Sequence, residues 1–434
     1  MSTCDHSRHY CRSPYWLQQV TSSRIATAQS CSSIRLLGPS FQSRTMSKIF
    51  EPLTLRGVTL RNRFVLSPMC QYTATEGHAS DYHAVHYGRF ALGGFGLLMV
   101  EATAVSPEGR ITHGDLGLCD DAHIQGLSRI TAFAKAYGAT PGIQIGHAGP
   151  KASIQRAFEG NGPLDERDAA RGEHPWVVVS PSARPAAEGW LVPDALDANG
   201  IAKVRSDFVA SARRALRAGF DVLELHYAHG FLLNAFLSPL TNDRTDEYGG
   251  GFENRIRLPL EIAREVREVW PQDKPLFVRL SAVDGSSSGW TIDDSVALAA
   301  ALKKIGVDVV DCSSGGFGVY EYPNGYGFQV PFAAQIRREA KIGTMAVGLI
   351  NDPWQAEAVI ASGQADLVAL GHAALRNPHF PLHAQQTLGA VSPGASYANW
   401  NVQVGWWLDH RESKLLQLGP WAPTVDAAAS GRMN

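Results

Sequence analysis

The chain has 434 residues, 44% hydrophobic and 18% charged, which suits a water-compatible globular protein with a large buried core. Its 39 lysines and arginines against 41 aspartates and glutamates give a net charge of −2, so the basic excess of a nucleic-acid surface is excluded. No run of about 18 apolar residues occurs, so a membrane-spanning helix is excluded as well.

Residues 1–45 differ in composition from the rest. They hold five arginines, ten serines, no lysine and a single acid, Asp5. That make-up matches an organellar transit peptide, and a disordered tail ahead of a start at Met46 is the alternative. The destination is mitochondrial on the first reading and cytoplasmic on the second. Cys4, Cys11 and Cys31 lie in this leader, whereas Cys70, Cys119 and Cys312 are far apart in the body. No CxxC pair occurs, which points to free thiols in a reducing compartment and away from a metal clip.

After the leader, Pro52–Arg61 reads as a β-hairpin. Eight short apolar runs follow: Phe64–Leu66, Leu97–Val100, Gly142–Ile145, Val222–Leu225, Leu276–Leu280, Val307–Val310, Met345–Gly348 and Leu367–Leu370. Segments of period near 3.6 separate them, among them Phe208–Ala218, Ile256–Val269, Val296–Ile305 and Trp354–Ala361. Apolar runs of four to six residues with a helix between each pair mean parallel strands buried on both faces. The fold class is therefore α/β, a (β/α)₈ TIM barrel over 46–390, capped at its bottom by the N-terminal hairpin. A doubly wound sheet would call for a GxGxxG turn after an early strand, and none occurs. The long excursion from Pro150 to about Ala198, after the third strand, reads as a lid. Residues 391–434 form a C-terminal tail.

Barrel enzymes place their chemistry at the C-terminal ends of the strands. In chain order these ends offer Ser67-Pro68-Met69-Cys70-Gln71-Tyr72, Glu101-Ala102-Thr103, Gln144 to His147, His226-Tyr227-Ala228-His229, Arg279-Leu280-Ser281 and Cys312-Ser313-Ser314. Strands seven and eight end at Gly348 and at Gly371-His372. Glycine at both places lets bare backbone amides approach a phosphate. The pair His226 and His229 invites a zinc reading, but no further ligand falls at suitable spacing, so no metal is expected.

These strand ends, and above all the segment His226–Arg255, resemble the Old Yellow Enzyme family of FMN-dependent ene-reductases, in a divergent, fungal-type member of the branch often called thermophilic-like. The resemblance covers Phe50 to about Leu388. It implies FMN as cofactor and NADPH or NADH as hydride donor, with an α,β-unsaturated carbonyl compound as small-molecule substrate. It also implies that Cys70 sits beside the reactive edge of the flavin. Arg279 would stabilise negative charge at flavin N1, although an arginine on a barrel strand is more often half of a core ion pair. Gln144 would meet the pyrimidine edge, and Ala102 would let the ring lie flat. Ser67, Pro68, Met69, Ser313, Gly348, Gly371 and His372 complete the expected cofactor set. His226 and His229 would grip the substrate oxygen for hydride attack from N5, with Tyr72 opposite and Ile111, Lys151 and Phe231 in the substrate pocket.

Four departures from the family pattern follow. Phe231 stands where most relatives carry the tyrosine that protonates the substrate α-carbon, so reduction needs another proton source. Hydride return, giving an isomerase or desaturase of a biosynthetic intermediate, is the alternative, and a flavin-binding protein without efficient turnover is a third reading. His372 replaces a phosphate-gripping arginine, and Pro150 replaces the arginine of the family's HAGRK stretch, leaving Lys151. The tail around Val402–Trp407 lacks the arginine that reaches a neighbouring subunit, which leaves a homodimer open. Trp400, Trp406 and Trp407 would pack on a partner or on the barrel.

Overall fold

The computed structural model describes residues 47–317, 325–392 and 394–418. The leader 1–45 and the end of the tail lie outside them. Eight strands, all parallel, close into one barrel: β1 (Phe64–Leu66), β2 (Leu97–Ala104), β3 (Thr140–Gly146), β4 (Val222–Tyr227), β5 (Leu276–Ser281), β6 (Val309–Ser313), β7 (Gly343–Ala346) and β8 (Leu367–Leu370). Closure is made by β8 on β1, with Val368 opposite Phe64 and Leu370 opposite Leu66. Around it run α1 (Asp81–Leu92), α2 (Ile124–Ala136), α3 (Ala198–Arg217), α4 (Arg257–Val269), α5 (Ile292–Ile305), α6 (Val330–Ala340), α7 (Pro353–Ala361) and α8 (Phe380–Thr387).

Two boundaries differ from the sequence expectation for local reasons. The sixth strand begins at Val309 instead of Val307. Gly306, at φ +104°, ends α5 in the left-handed region, and the Val307 N–H still donates to Leu302 O of that helix. The second strand continues to Ala104 through a register shift between Val100 and Thr103. That irregularity turns Glu101 outward, where its carboxylate accepts from the Tyr87 hydroxyl of α1 at 2.7 Å.

The floor of the barrel is hydrocarbon. Val65, Leu97, Met99, Val222, Phe277, Val309, Met345, Leu367 and Ala369 form one interior cluster. The antiparallel hairpin Leu53–Leu55 and Val58–Leu60 packs on it from below with Leu53, Leu55, Val58 and Leu60. A larger cluster lies between the strands and the helices.

Between β3 and α3 the excursion carries a short helix (Glu166–Ala170) and two two-residue strands, Val179–Ser180 paired with Asp194–Ala195. Arg156 ties it together by ion pairs to Glu159 and Glu173. It closes against the mouth through Ile154, Trp176, Val178 and Trp190, which pack with Ile111, Ala148, Phe231 and Cys70. In the tail, Trp400 stacks on His379 at 5.0 Å, whereas Trp406 and Trp407 lie exposed on a helix spanning Val402–Leu415.

Candidate active site

Alternate residues of a strand face the barrel interior, and from the floor upward they change character in the same order on neighbouring strands. On β4 the sequence is Val222, Glu224, His226; on β5 Phe277, Arg279, Ser281; on β6 Val309, Asp311, Ser313. The first rung belongs to the apolar floor. The second is polar and charged, and the third reaches the mouth.

A cleft of about 340 Å³ opens at the ends of β1, β5, β7 and β8, lined by Ser67, Pro68, Met69, Arg279, Gly348, Gly371 and His372. Gly348 has φ +108°, and a Cβ there would lie 2.7 Å from Gln329 Oε1. A short helix, His372–Arg376, starts at the cleft with no side chain capping it, which leaves its first N–H groups for an anion. Arg279 makes the core ion pair that the sequence allowed, and it also lines the cleft. Its Nε lies 3.1 Å from Asp311 Oδ2, its Nη1 donates to Ser67 Oγ at 3.3 Å, and the residue lines the cleft. One buried cation, exposed backbone amides and a glycine that admits no side chain fit a phosphate-bearing, electron-accepting ring such as FMN.

Gln144 faces the same interior. Its Nε2 donates to Glu224 Oε1 at 2.8 Å, which fixes the orientation of the amide.

His226 and His229 stand at the end of β4, beside a small pocket that His226 lines with Ala102, Ile111, Asp115, His147 and Phe231. His226 Nδ1 accepts from the Ala228 N–H at 3.2 Å, so its proton is on Nε2. That Nε2 is 3.3 Å from His229 Nδ1, and His229 Nε2 is 2.7 Å from Ser313 Oγ. Burial and the Arg279 charge hold both imidazoles well below their ordinary pKa, so they act as neutral groups. His229 sits at φ +65° and Tyr72 at φ +56°, left-handed conformations that cost a side chain strain and that neighbouring bonds must hold. For His229 the holding groups are Ser281 Oγ, which accepts its N–H at 3.0 Å, and Lys151 Nζ, which donates to its carbonyl at 2.8 Å.

Lys151 also donates to Gly316 O at 2.7 Å. The ammonium is thus spent on two backbone carbonyls, and burial pulls its pKa down to about 8. Phe231 packs edge-on against the His226 ring at 4.8 Å. The Cys70 thiol is pushed well up, first by burial and then by the Asp115 and Glu101 charges, which keeps it neutral. Tyr72 is likewise raised by burial and meets Phe158 of the lid edge to face at 6.1 Å.

Sequence reasoning missed Glu224, Asp311, Asp115 and Gln329, and it named Ser281 at a strand end without a role. The signal for the first two was present, since a lone acid in an apolar strand must find a partner or a proton. Gln329 Nε2 donates to Ser314 Oγ at 2.7 Å from a segment whose sequence announces nothing.

Comparison with known proteins places the chain in a family. The NADH:flavin oxidoreductase / NADH oxidase family matches residues 48–390. The NADPH dehydrogenase of Geobacillus thermodenitrificans (strain NG80-2) is 46% identical over 346 residues, 79% of this chain and 94% of that one. Morphinone reductase superposes with a TM-score of 0.66 at 27% identity, over 80% of this chain and 91% of its own. An old yellow enzyme homologue from Zymomonas mobilis, at 23% identity and a TM-score of 0.65 over 78% of this chain and 93% of its own, shares the fold. The chain therefore belongs to the NADH:flavin oxidoreductase / NADH oxidase family, the Old Yellow Enzyme group, and is an oxidoreductase that works with FMN and a nicotinamide hydride donor.

Proposed function

We propose that this enzyme reduces α,β-unsaturated carbonyl compounds. FMN supplies the hydride chemistry, carrying to the substrate β-carbon what NADPH or NADH delivers. Ser67, Pro68, Met69, Gly348, Gly371 and His372 would hold its phosphate-bearing arm. Arg279, Gln144, Ala102, Cys70 and Ser313 would surround the ring.

The observation that carries this reading is the pair of ring nitrogens, His226 Nε2 and His229 Nδ1, 3.3 Å apart beside the pocket. An oxygen placed between two such N–H groups is polarised, and the negative charge that develops on it during hydride attack is stabilised. His226 already carries its proton on the required nitrogen. His229 does so when the Ser313 hydroxyl donates to its Nε2, and a serine can take that role. Both rings are neutral and buried, so they donate without bringing a competing cation.

Phenols imitate the enolate that the pair would bind. His226→Ala and His229→Ala should each weaken phenol binding by on the order of 2.7–4 kcal/mol while the flavin spectrum persists. If both variants bind phenols as the parent does, the reading is wrong.

Phe231 favours a second reading. A phenyl ring beside His226 offers no proton for the α-carbon. Hydride return to the cofactor, with net isomerisation or desaturation, would then compete with reduction.

A further inference from the structure

The second rung of the barrel holds more negative than positive charge. Glu224 and Asp311 are fully buried, and Arg279 is 7% exposed. Arg279 is the only cation among the described residues that acts on either carboxyl. Its approach to Asp311 is oblique: the 3.1 Å contact is an ion pair, yet neither Asp311 oxygen nor Arg279 Nε has a hydrogen-bond partner. Glu224 Oε1 accepts from Gln144, and Glu224 Oε2 has no partner either. The other titratable groups facing this rung bring no positive charge. His226 and His229 above it are held neutral, and the Cys312 thiol on β6 is pushed up by burial and by Asp311.

Two ionised carboxylates beside one guanidinium would leave an unpaired charge in a dry interior, the state that burial disfavours most strongly. Retaining one proton on either carboxyl removes it. Burial and the Asp311 charge raise Glu224 to about 8.

Arg279 serves both sides of this arrangement, because it also lines the cofactor cleft with Ser67, Gly348 and Gly371. We propose that Glu224 and Asp311 between them hold one proton at neutral pH and form the proton-storing site for reduction of FMN, with Arg279 as the charge that couples pair and cofactor. Electrons arriving on the cofactor side draw on the field of Arg279. The carboxyl pair then feels less positive potential and binds its proton more tightly. The balance holds above about pH 8, where the pair has lost its proton in the oxidised enzyme: the nicotinamide supplies the hydride that reduces the cofactor, and one O–H bond re-forms on the pair with a proton from solvent. The inference rests on the cofactor alone and holds whatever compound is reduced.

The test is the midpoint potential of the FMN-loaded enzyme against pH, between about 7 and 10, for the parent, Glu224→Gln and Asp311→Asn. Above about pH 8 the parent should fall more steeply than Glu224→Gln by one proton per two electrons. That is a tenfold change in the equilibrium per pH unit, or about 30 mV. A merely structural role for Glu224 would shift the potential without changing this slope. Parallel slopes for parent and variants overturn the proposal. Should the variants fail to fold, the parent alone decides: its reduced-minus-oxidised infrared spectrum near pH 8 must gain a protonated-carboxyl band that shifts in D₂O, and absence of that band overturns the proposal.

Discussion

Phe231 is the residue on which the chemical outcome turns. Its ring packs on His226 and belongs to the apolar cluster under the lid, so a hydroxyl added at its edge would stand beside the nitrogens proposed to hold the substrate oxygen. Phe231→Tyr is expected to speed oxidation of the reduced enzyme by 2-cyclohexenone about tenfold or more, the lower part of what a positioned acid contributes. Reduction of the enzyme by NADPH needs no such proton and should hardly change. Stopped-flow measurement of the two half-reactions checks this, and an unchanged enone step would mean that a proton donor already operates. Phe231 was legible only through the resemblance of His226–Arg255, whereas His226, His229 and Arg279 stand at strand ends with chemistry of their own. Asp115 was not legible: its carboxyl hides behind Ile111 and Thr112, whose N–H and hydroxyl it accepts at 2.6 and 2.7 Å. Nothing in a stretch that reads His113-Gly114-Asp115-Leu116 distinguishes it from a solvated turn.

At the scale of elements, the ends of β4 and β6 are fastened to each other by one side chain from the lid. Lys151 bonds His229 O and Gly316 O together, and the His229 backbone is held left-handed by that bond and by Ser281. Lys151→Met keeps the stem and removes both bonds. Each charge-assisted bond contributes roughly 1.5–3 kcal/mol, and the ammonium no longer has to be desolvated, so a net loss of about 1–3 kcal/mol is expected in denaturant unfolding. Phenol affinity should fall with it, because the His229 ring loses its anchor. A variant as stable as the parent with unaltered phenol binding would show that Ser281 alone holds the turn. The strands themselves could be read from their apolar runs, since parallel strands covered on both faces need no alternation. The lid could be read only as an excursion. Its helix of five residues, Glu166–Ala170, is too short for a 3.6 period to declare itself, and its order comes from Arg156 and from the tryptophans that face the mouth.

For the molecule as a whole, buried titratable groups set how stability depends on pH. Burial raises Asp115 from 3.8 to about 7 and Glu224 from 4.5 to about 8. Between those values the folded protein binds more protons than the unfolded chain, so stability falls as pH rises. Burial lowers His147 from 6.5 to about 4, and through that window the unfolded chain binds more protons, so stability rises with pH. The two effects oppose each other below about 6.5, and only the carboxyl effect survives above it. The thermal midpoint should therefore decline between about pH 6.5 and 8, at up to about 1.4 kcal/mol per pH unit for each group still titrating. Glu224→Gln should flatten the upper part of that decline in scanning calorimetry. A midpoint that rises over this range would contradict the assignment of these carboxyls as buried and protonated. The barrel architecture was legible at this scale because eight strand–helix units in one chain leave few other arrangements. The charge balance inside it was not, because Glu224, Arg279 and Asp311 lie far apart in sequence and come together only when β4, β5 and β6 pair.

The hydrocarbon floor and the hairpin beneath it make the barrel a blind shaft. Leu53, Leu55, Val58 and Leu60 plug the lower end, and the first rung above them has no polar side chain to conduct water or charge. Among the described residues, the rim formed by the strand ends and the lid is where electrons, protons and substrate would reach the proposed site. Whatever stoppers that rim interrupts all three kinds of traffic at once. The opposite end carries none of them, and it is the face by which the enzyme can be tethered, fused or immobilised with its chemistry undisturbed.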